Sequence, residues 1–427
     1  MMQPMPIEIL GAVLFACAVL HTFLVGRILD FSRRFPKGSP TESILHFLGE
    51  IEVVFGVWGA FLLILMGVSQ GFGSVVEYQN RLHFTEPIFV FCIMVIAATK
   101  PVLWLAQKLI QSISALLAKA TRVPQTLMDI FVLLVLGPLS GSLITEPAAM
   151  TVTALLLARM VHKVDAKLMY ALLAVLFVNV SIGGALTPYA APPILMVAQK
   201  WGWDLATVFG YFGWKAAGAV IVNSLCLTFY FKKILQTHVQ PLRKVSDAEQ
   251  IPVGVILLHY GFLVVLVLCA HYPALAMGVF LFFLGMTTVT KKYQDRIRLK
   301  EALLVAFFLA GIIVFGPLQA WWLTPLLQSM GQTTLFLGAT ALTAITDNAA
   351  LTFLGSQVEG LSESSKYYLV AGAIAGGGLT IIANAPNAAG FSILQDKFQG
   401  GVHPGRLLMA AILPTLVALL FLSFLPG

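Results

Sequence analysis

The sequence predicts an all-α polytopic membrane protein made of two inverted repeats of five crossings each, with two re-entrant hairpins and two interrupted helices. Three observations carry that expectation. Apolar stretches long enough to span a bilayer recur from end to end, two further stretches suit neither one crossing nor two, and two short motifs occur twice in the same order. The chain has 427 residues, 59% hydrophobic and only 11% charged, whereas soluble domains carry about 25% charged residues. Length alone would suggest roughly three soluble domains, but spans of this apolarity set that prior aside.

The predicted spans cover 7–29, 45–69, 87–107, 168–199 (interrupted), 209–231, 252–270, 273–290, 301–317, 367–394 (interrupted) and 406–425. With the N-terminus outside, the inward loops hold all 26 Lys and Arg except Arg81, Lys200, Lys215 and Lys366. The positive-inside rule expects this bias. It predicts ten crossings, both termini outside, and an inner (plasma) membrane location. The formal charge of +7 then reflects orientation, and no nucleic-acid partner is implied. No Lys or Arg precedes the first span, so it is expected to be a retained helix and not a signal peptide. Cys17, Cys92, Cys226 and Cys269 lie scattered in apolar spans without a CxxC, as inert thiols do.

Residues 127–160 are apolar but interrupted by Gly137-Pro138-Leu139-Ser140-Gly141-Ser142. Two arms of about 15 residues reach about 22 Å each, against about 30 Å of hydrocarbon. A re-entrant hairpin fits, with irregular backbone covered by protein or lining a cavity. Arg122 and Arg159 flank it and place its opening inside. Residues 331–358 read alike, flanked by Lys366 alone, and should open outside. Five crossings per half is odd, so the second half must be inverted. Ile144-Thr145-Glu146-Pro147-Ala148-Ala149-Met150-Thr151 matches Ile345-Thr346-Asp347-Asn348-Ala349-Ala350-Leu351-Thr352 with five identities and a Glu/Asp exchange. Gly183-Gly184-Ala185-Leu186-Thr187 matches Gly376-Gly377-Gly378-Leu379-Thr380. Repeats of this kind place their site at the midplane between halves. The halves are expected at 1–235 and 251–427, with the hydrophilic stretch 236–250 as a cytoplasmic linker.

Glu146 precedes Pro147, a residue favoured in the first helical turn, so it belongs at or beside a helix N-cap. Asp347 is a good N-cap by type. The helix dipole favours their ionised forms, while burial and mutual repulsion oppose them. A carboxylate held between these influences can exchange a proton for a cation. Either acid could be a cap alone, but a charged residue costs roughly 2.5–3.5 kcal/mol at the bilayer centre, and equivalent placement in both repeats points to function.

The interrupted spans complete the candidate site. Gly183 and Gly184, then Pro188, Pro192 and Pro193, cannot continue a helix. Gly376, Gly377 and Gly378 open the second break and Ala383-Asn384-Ala385-Pro386-Asn387 closes it. Unwound backbone exposes carbonyls to a cation. Thr187, Thr380, Asn348, Asn384 and Asn387 add the side-chain oxygens that hard cations prefer. His46, Glu50 and Glu52 cluster early in the second span, with Glu50 and Glu52 as candidates for proton access from inside or an interfacial salt-bridge cluster. His21, His259 and Asp129 read as ordinary hydrogen-bonding residues, and Lys215 as a snorkelling side chain.

At these motifs the chain resembles the ion transporter superfamily, and within it the bacterial sodium/proton antiporter branch, along essentially its whole length. The resemblance rests on Asp347-Asn348 as an acid-Asn tip and on Gly183-Gly184-Ala185-Leu186-Thr187-Pro188 as a Gly-Gly-x-x-Thr-Pro break. Glu146-Pro147, Ile194 and Ala383 depart from the Asp-Asn, Asn and Gly that relatives carry. The resemblance implies a secondary active transporter exchanging a monovalent cation, Na+ first, for protons by alternating access; relatives often form homodimers. The rival is a proton- or sodium-coupled carrier of citrate, another dicarboxylate or arsenite, although the dicarboxylate branch has Ser-Asn-Thr tips. A channel fits paired hairpins less well. An enzyme is not expected, since no nucleophile-base set or metal-ligand spacing occurs, and neither a cofactor nor a bound metal is implied.

Overall fold

The computed structural model describes residues 5–50, 53–161, 164–188, 190–242, 250–269, 272–356, 358, 360–398 and 401–423. Among them every extended element is helical, apart from one isolated bridge between Val161 and Val239. Among the described residues, seven helices are long and apolar enough to cross a membrane: Pro6–Ser32, Lys100–Thr121, Gln125–Ile144, Ala166–Leu186, Leu205–Tyr230, Ala302–Leu327 and Pro404–Leu422. Shorter apolar helices cover Val54–Gln70, Pro87–Ala97, Val253–Leu268 and Pro273–Val289.

In the first half, α1 (Pro6–Ser32) is followed by α2 (Pro40–Leu48), α3 (Val54–Gln70), α4 (Phe72–Asn80), α5 (Thr85–Ala97) and α6 (Lys100–Thr121). The span expected over 45–69 is thus two helices, parted after the cap Gly49. Glu50 lies just beyond the end of α2 and not in a continuous first turn. The span expected over 87–107 also divides, at Thr99, because Pro101 sits in the first turn of α6 where its missing N–H is harmless.

Next come α7 (Gln125–Ile144) and α8 (Glu146–Met160), the first hairpin. Its turn is not at residues 137–142. The helix runs through Pro138 and reverses at Thr145, giving arms of 20 and 15 residues. Proline leaves the carbonyl four residues earlier without its helical donor. Asn179 Nδ2 at 3.0 Å and Ser224 Oγ at 3.1 Å donate to that carbonyl, on Leu134, so α7 continues. The glycines of the same stretch serve packing: Gly137 abuts Thr153 and Gly141 abuts Ala149. They let the two arms lie close together.

After the hairpin, α9 (Ala166–Gly183) ends in a 3-10 turn over Gly184–Leu186, and α10 (Pro192–Trp201) resumes beyond the break. Nearly every residue of α9 is buried, as befits an apolar helix at the centre of a bundle. Then follow α11 (Leu205–Val208), a π-turn over Phe209–Gly213, α12 (Trp214–Tyr230) and α13 (Lys232–His238).

The second half holds α14 (Val253–Leu268), α15 (Pro273–Val289), α16 (Leu299–Phe315) and α17 (Ala320–Gln328). Its hairpin is α18 (Gln332–Thr343) and α19 (Asn348–Ser356). The broken helix is α20 (Glu363–Gly376) and α21 (Ala385–Leu394), and α22 (Pro404–Leu422) closes the fold. Helices α3 and α16 meet where Gly59 faces Gly311, small residues admitting close backbones as membrane packing favours.

Lys215 does not snorkel. It is fully buried, with Nζ donating to Tyr367 Oη at 2.8 Å, while Tyr367 donates to the Leu422 carbonyl at 2.8 Å. The aromatic ring of Tyr367 stacks on Phe212, so the lysine ties α12 to α20 and α22 in the interior.

Candidate functional site

Each hairpin is joined to its own broken helix by a ladder of three contacts at four-residue spacing. In the first half, Asn179 donates to Leu134 O, Gly183 lies against Pro138 O, and Thr187 Oγ1 donates to Ser142 O at 2.8 Å. In the second, Gly372 lies against Phe336 O, Gly376 against Thr340 O, and Thr380 Oγ1 donates to Ala344 O at 2.8 Å. Each lower partner advances by four as the upper one does, so α7 runs parallel to α9 and α18 parallel to α20. A Cβ at Gly183 would stand 2.6 Å from Pro138 O, and one at Gly376 2.5 Å from Thr340 O. Only glycine permits that approach. Ser142 reinforces the first ladder, donating to Gly183 O at 2.7 Å and accepting from Leu186 N at 3.0 Å.

The two broken helices then cross. Ser181 Oγ donates to Ile374 O at 2.8 Å and also meets Gly377, while Val178 meets Gly378. As contacts on α9 advance from 178 to 181, those on the second broken helix retreat from 378, just past the end of α20, to 374, so the helices run in opposing senses there. Beyond the crossing, the second arm of each hairpin packs on the other half, α8 against α21 and α19 against α10.

These contacts bring both acids to one place. Glu146 is fully buried and is the first residue of α8. Asn384, the N-cap of α21, donates Nδ2 to Glu146 Oε2 at 2.7 Å. Asp347 caps α19, with Oδ1 accepting from Ala349 N at 2.9 Å and Ala350 N at 3.0 Å. The backbone of Ala385, the residue after Asn384, lies in the surroundings of the Asp347 carboxyl. Asn348 N donates to Ala383 O at 3.0 Å, fixing the second tip beside it. The end of the second break, Ala383-Asn384, therefore lies beside both acids, through Asn384 at Glu146 and through Ala383 at the Asp347-Asn348 tip.

Buried amides surround this point. Asn387 Nδ2 bridges the break by donating to Gly377 O at 2.6 Å and Thr380 O at 2.8 Å. Among the described residues, Asn348 Oδ1 and Nδ2, Asn384 Oδ1, Asn387 Oδ1 and Thr145 Oγ1 are buried without a hydrogen-bond partner. Buried polar atoms are ordinarily paired, so amide and hydroxyl oxygens orphaned beside two carboxyls form a ready set of hard ligands.

Thr145 also carries backbone strain, at φ 74° and ψ 153°. A β-branched residue in that region costs about 1–3 kcal/mol and clusters at functional sites. Its match, Thr346, instead returns its hydroxyl to Leu342 O at 2.8 Å. Pro147 has no N–H where Asn348 has one, so the two tips are built differently.

The expected residues divide accordingly. Glu146, Asp347, Asn348, Asn384 and Asn387 converge. Gly184 and Gly377 let the breaks approach Glu146 and Asn348 respectively, and Gly183, Gly376 and Gly378 admit the ladders and the crossing. Thr187 and Thr380 commit their hydroxyl protons to hairpin carbonyls. Pro192 and Pro193 start α10, and Pro188 lies in the turn ahead of it. Glu50 faces His46, Oε1 to Nδ1 at 3.5 Å, and Glu52 lies outside the described residues. Sequence reading did not single out Ser142, Ser181, Asn179 or Thr145 as site residues. The first three were detectable as polar residues on otherwise apolar elements, and Thr145 as half of a matched pair. Asp129 makes ordinary hydrogen bonds, from Ser114, from Gln125 Nε2 at 2.7 Å and from Leu242 N at 3.1 Å.

An all-helical integral membrane protein with two matched hairpin and broken-helix units, joined over a buried acid pair, has the build of an ion transporter. The family described as "Putative Na+/H+ antiporter" matches residues 6–425, and the chain belongs to it. No curated protein matches the sequence.

Proposed function

We propose that the protein exchanges a monovalent cation, Na+ first, for protons by alternating access. The convergence of Glu146 and the Asp347-Asn348 tip on Ala383-Asn384, with orphaned amide oxygens around it, is the observation that carries this reading. A dehydrated cation entering there replaces a proton as the counter-charge of two carboxyls that repel one another when both are ionised. The Asp347-Asn348 tip and the Asn384 and Asn387 oxygens hold the cation, and Glu146 carries the exchanged proton. The low dielectric makes proton and cation mutually exclusive, and that exclusion couples their fluxes.

The halves, 1–235 and 251–427, form inverted repeats joined by a cytoplasmic linker at 236–250. The matched ladders and the opposed sense of α9 and α20 support that arrangement. So does the basic bias that places both termini outside. Each hairpin moves with its own broken helix, and the crossing at Ser181 and Gly377 is where the two units rock on one another. Paired carboxyls repel an anionic substrate, which disfavours the citrate or dicarboxylate reading.

Everted vesicles with an imposed pH gradient test the proposal. Adding Na+ or Li+ should collapse the gradient when the protein is present. No response to any monovalent cation, together with uptake of citrate or arsenite, would overturn it.

A further inference from the structure

Away from the acid pair, a cavity of about 830 Å³ opens among the start of α9, the start of α22, α1 and the α12–α13 junction, with Lys167, Tyr170, His403, Arg406, Phe23 and Met409 on its walls. Among the described residues, its polar wall is basic and carries no carboxylate. The neighbouring Asp165 is turned to its own backbone, accepting from Lys167 N at 3.1 Å as the cap of α9. The wall is also built and held. Tyr170 Oη accepts from His403 N at 2.8 Å, fixing α22 to α9, and the His403 ring stands against Gly26 of α1. Lys167 Nζ donates to Tyr230 Oη at 3.1 Å and lies over that ring, which sets the direction of its ammonium.

The other wall is apolar and continues along the bundle's flank. Phe23 on α1 is 46% exposed, and Met409, Leu413 and Leu416 on α22 are 69%, 67% and 54% exposed. These three succeed one another at helical spacing, forming a strip directed to hydrocarbon. A free anion would use the two cations and leave this strip bare. A ligand with an anionic head and a long apolar tail uses both.

We infer that this cavity is a binding site for an anionic phospholipid of the inner leaflet. Lys167 and Arg406 hold its phosphate, and an acyl chain follows Phe23, Met409 and Leu413. Basic pockets between transmembrane helices on the cytoplasmic side suit such headgroups. Because α1, α9 and α22 meet here, a bound lipid would brace α9 against the last helix. The inference is independent of what the acid pair transports.

Purified full-length protein in a neutral detergent, titrated with phosphatidylglycerol, phosphatidylcholine or inorganic phosphate, tests it. Bound lipid is counted by native mass spectrometry and thermal stability is followed in parallel. Phosphatidylglycerol should bind and raise the unfolding temperature, and phosphatidylcholine should do neither. Lys167→Gln and Arg406→Gln should each weaken phosphatidylglycerol about fivefold, the fold-change that about 1 kcal/mol per basic residue gives. The double variant should lose about 25-fold, on the same per-residue figure, while Lys167→Arg should bind like wild type. Lys292→Gln, which removes an exposed charge outside the cavity, should also bind like wild type. Undiminished binding in the double variant, equal retention of phosphatidylcholine, or full displacement of the lipid by inorganic phosphate would each overturn the assignment.

Discussion

Gly184→Ala perturbs the acid pair without removing any titratable or coordinating group. The backbone there has φ −73° and ψ −10°, which alanine adopts freely, so no strain is introduced. A Cβ would stand 2.5 Å from Glu146 Oε1, 2.6 Å from its Cγ and 3.0 Å from its Cδ. Carbon contacts settle at about 3.5 Å or more, so the carboxyl must retreat by roughly 1 Å. The side chain can swing, and the fold survives. Its bond from Asn384, now 2.7 Å, does not: at about 3.6 Å a hydrogen bond is lost. A bond to a charged group contributes about 1.5–3 kcal/mol, or about 10- to 150-fold in an equilibrium constant. The Na+ concentration giving half-maximal collapse of a pH gradient in everted vesicles should rise at least tenfold. Expression should match wild type, and the unfolding temperature should fall by no more than the loss of that one bond accounts for. A half-maximal concentration within twofold of wild type would refute the placement of Glu146 in the transport site.

Substitutions elsewhere separate scaffold from site. Gly183→Ala and Gly376→Ala push a Cβ against backbone carbonyls that cannot swing, so each should destabilise by about 1–3 kcal/mol or more, seen as a lower unfolding temperature in detergent. Gly278→Ala, with nothing within 4 Å, should not lower it. Asn179→Ala removes one of the two donors to the Leu134 carbonyl and should cost about 1–3 kcal/mol. Pro138→Ala restores the helical donor to that carbonyl, so the double variant should recover part of the loss in a thermal double-mutant cycle. Thr145→Gly relieves the positive-φ strain but deletes the orphaned hydroxyl; stability should rise while apparent Na+ affinity falls, read by thermal unfolding and the vesicle assay together.

Much of the architecture was legible because it rests on chemistry that survives in short motifs. Gly183 and Gly376 marked the breaks, and both stand where a helix backbone comes within a methyl group's reach. The paired Thr187 and Thr380 marked equivalent positions, and both complete a ladder, although as donors to carbonyls. The Gly137–Ser142 stretch misled, because the groups that repair the helix around Pro138, Asn179 and Ser224, lie 45 and 90 residues away in sequence from Leu134. Local propensity carries no trace of them. Lys215 misled for a similar reason: a lysine near the end of an apolar span ordinarily reaches for water, and only the arrival of Tyr367 from the other half gives it an interior partner. The orphaned amides and the strain at Thr145 are properties of packing, invisible until the tips and breaks are assembled.

In the proposed exchange, Glu146 and Asp347 together trade a cation for protons. Uptake of radioactive Na+ by proteoliposomes holding the purified protein, driven by an outward proton gradient, decides the matter. Wild-type protein should take up Na+ against its concentration gradient, and Glu146→Gln and Asp347→Asn should each abolish uptake while retaining wild-type unfolding temperatures. Sustained proton-driven uptake by both variants would reduce the two acids to helix caps.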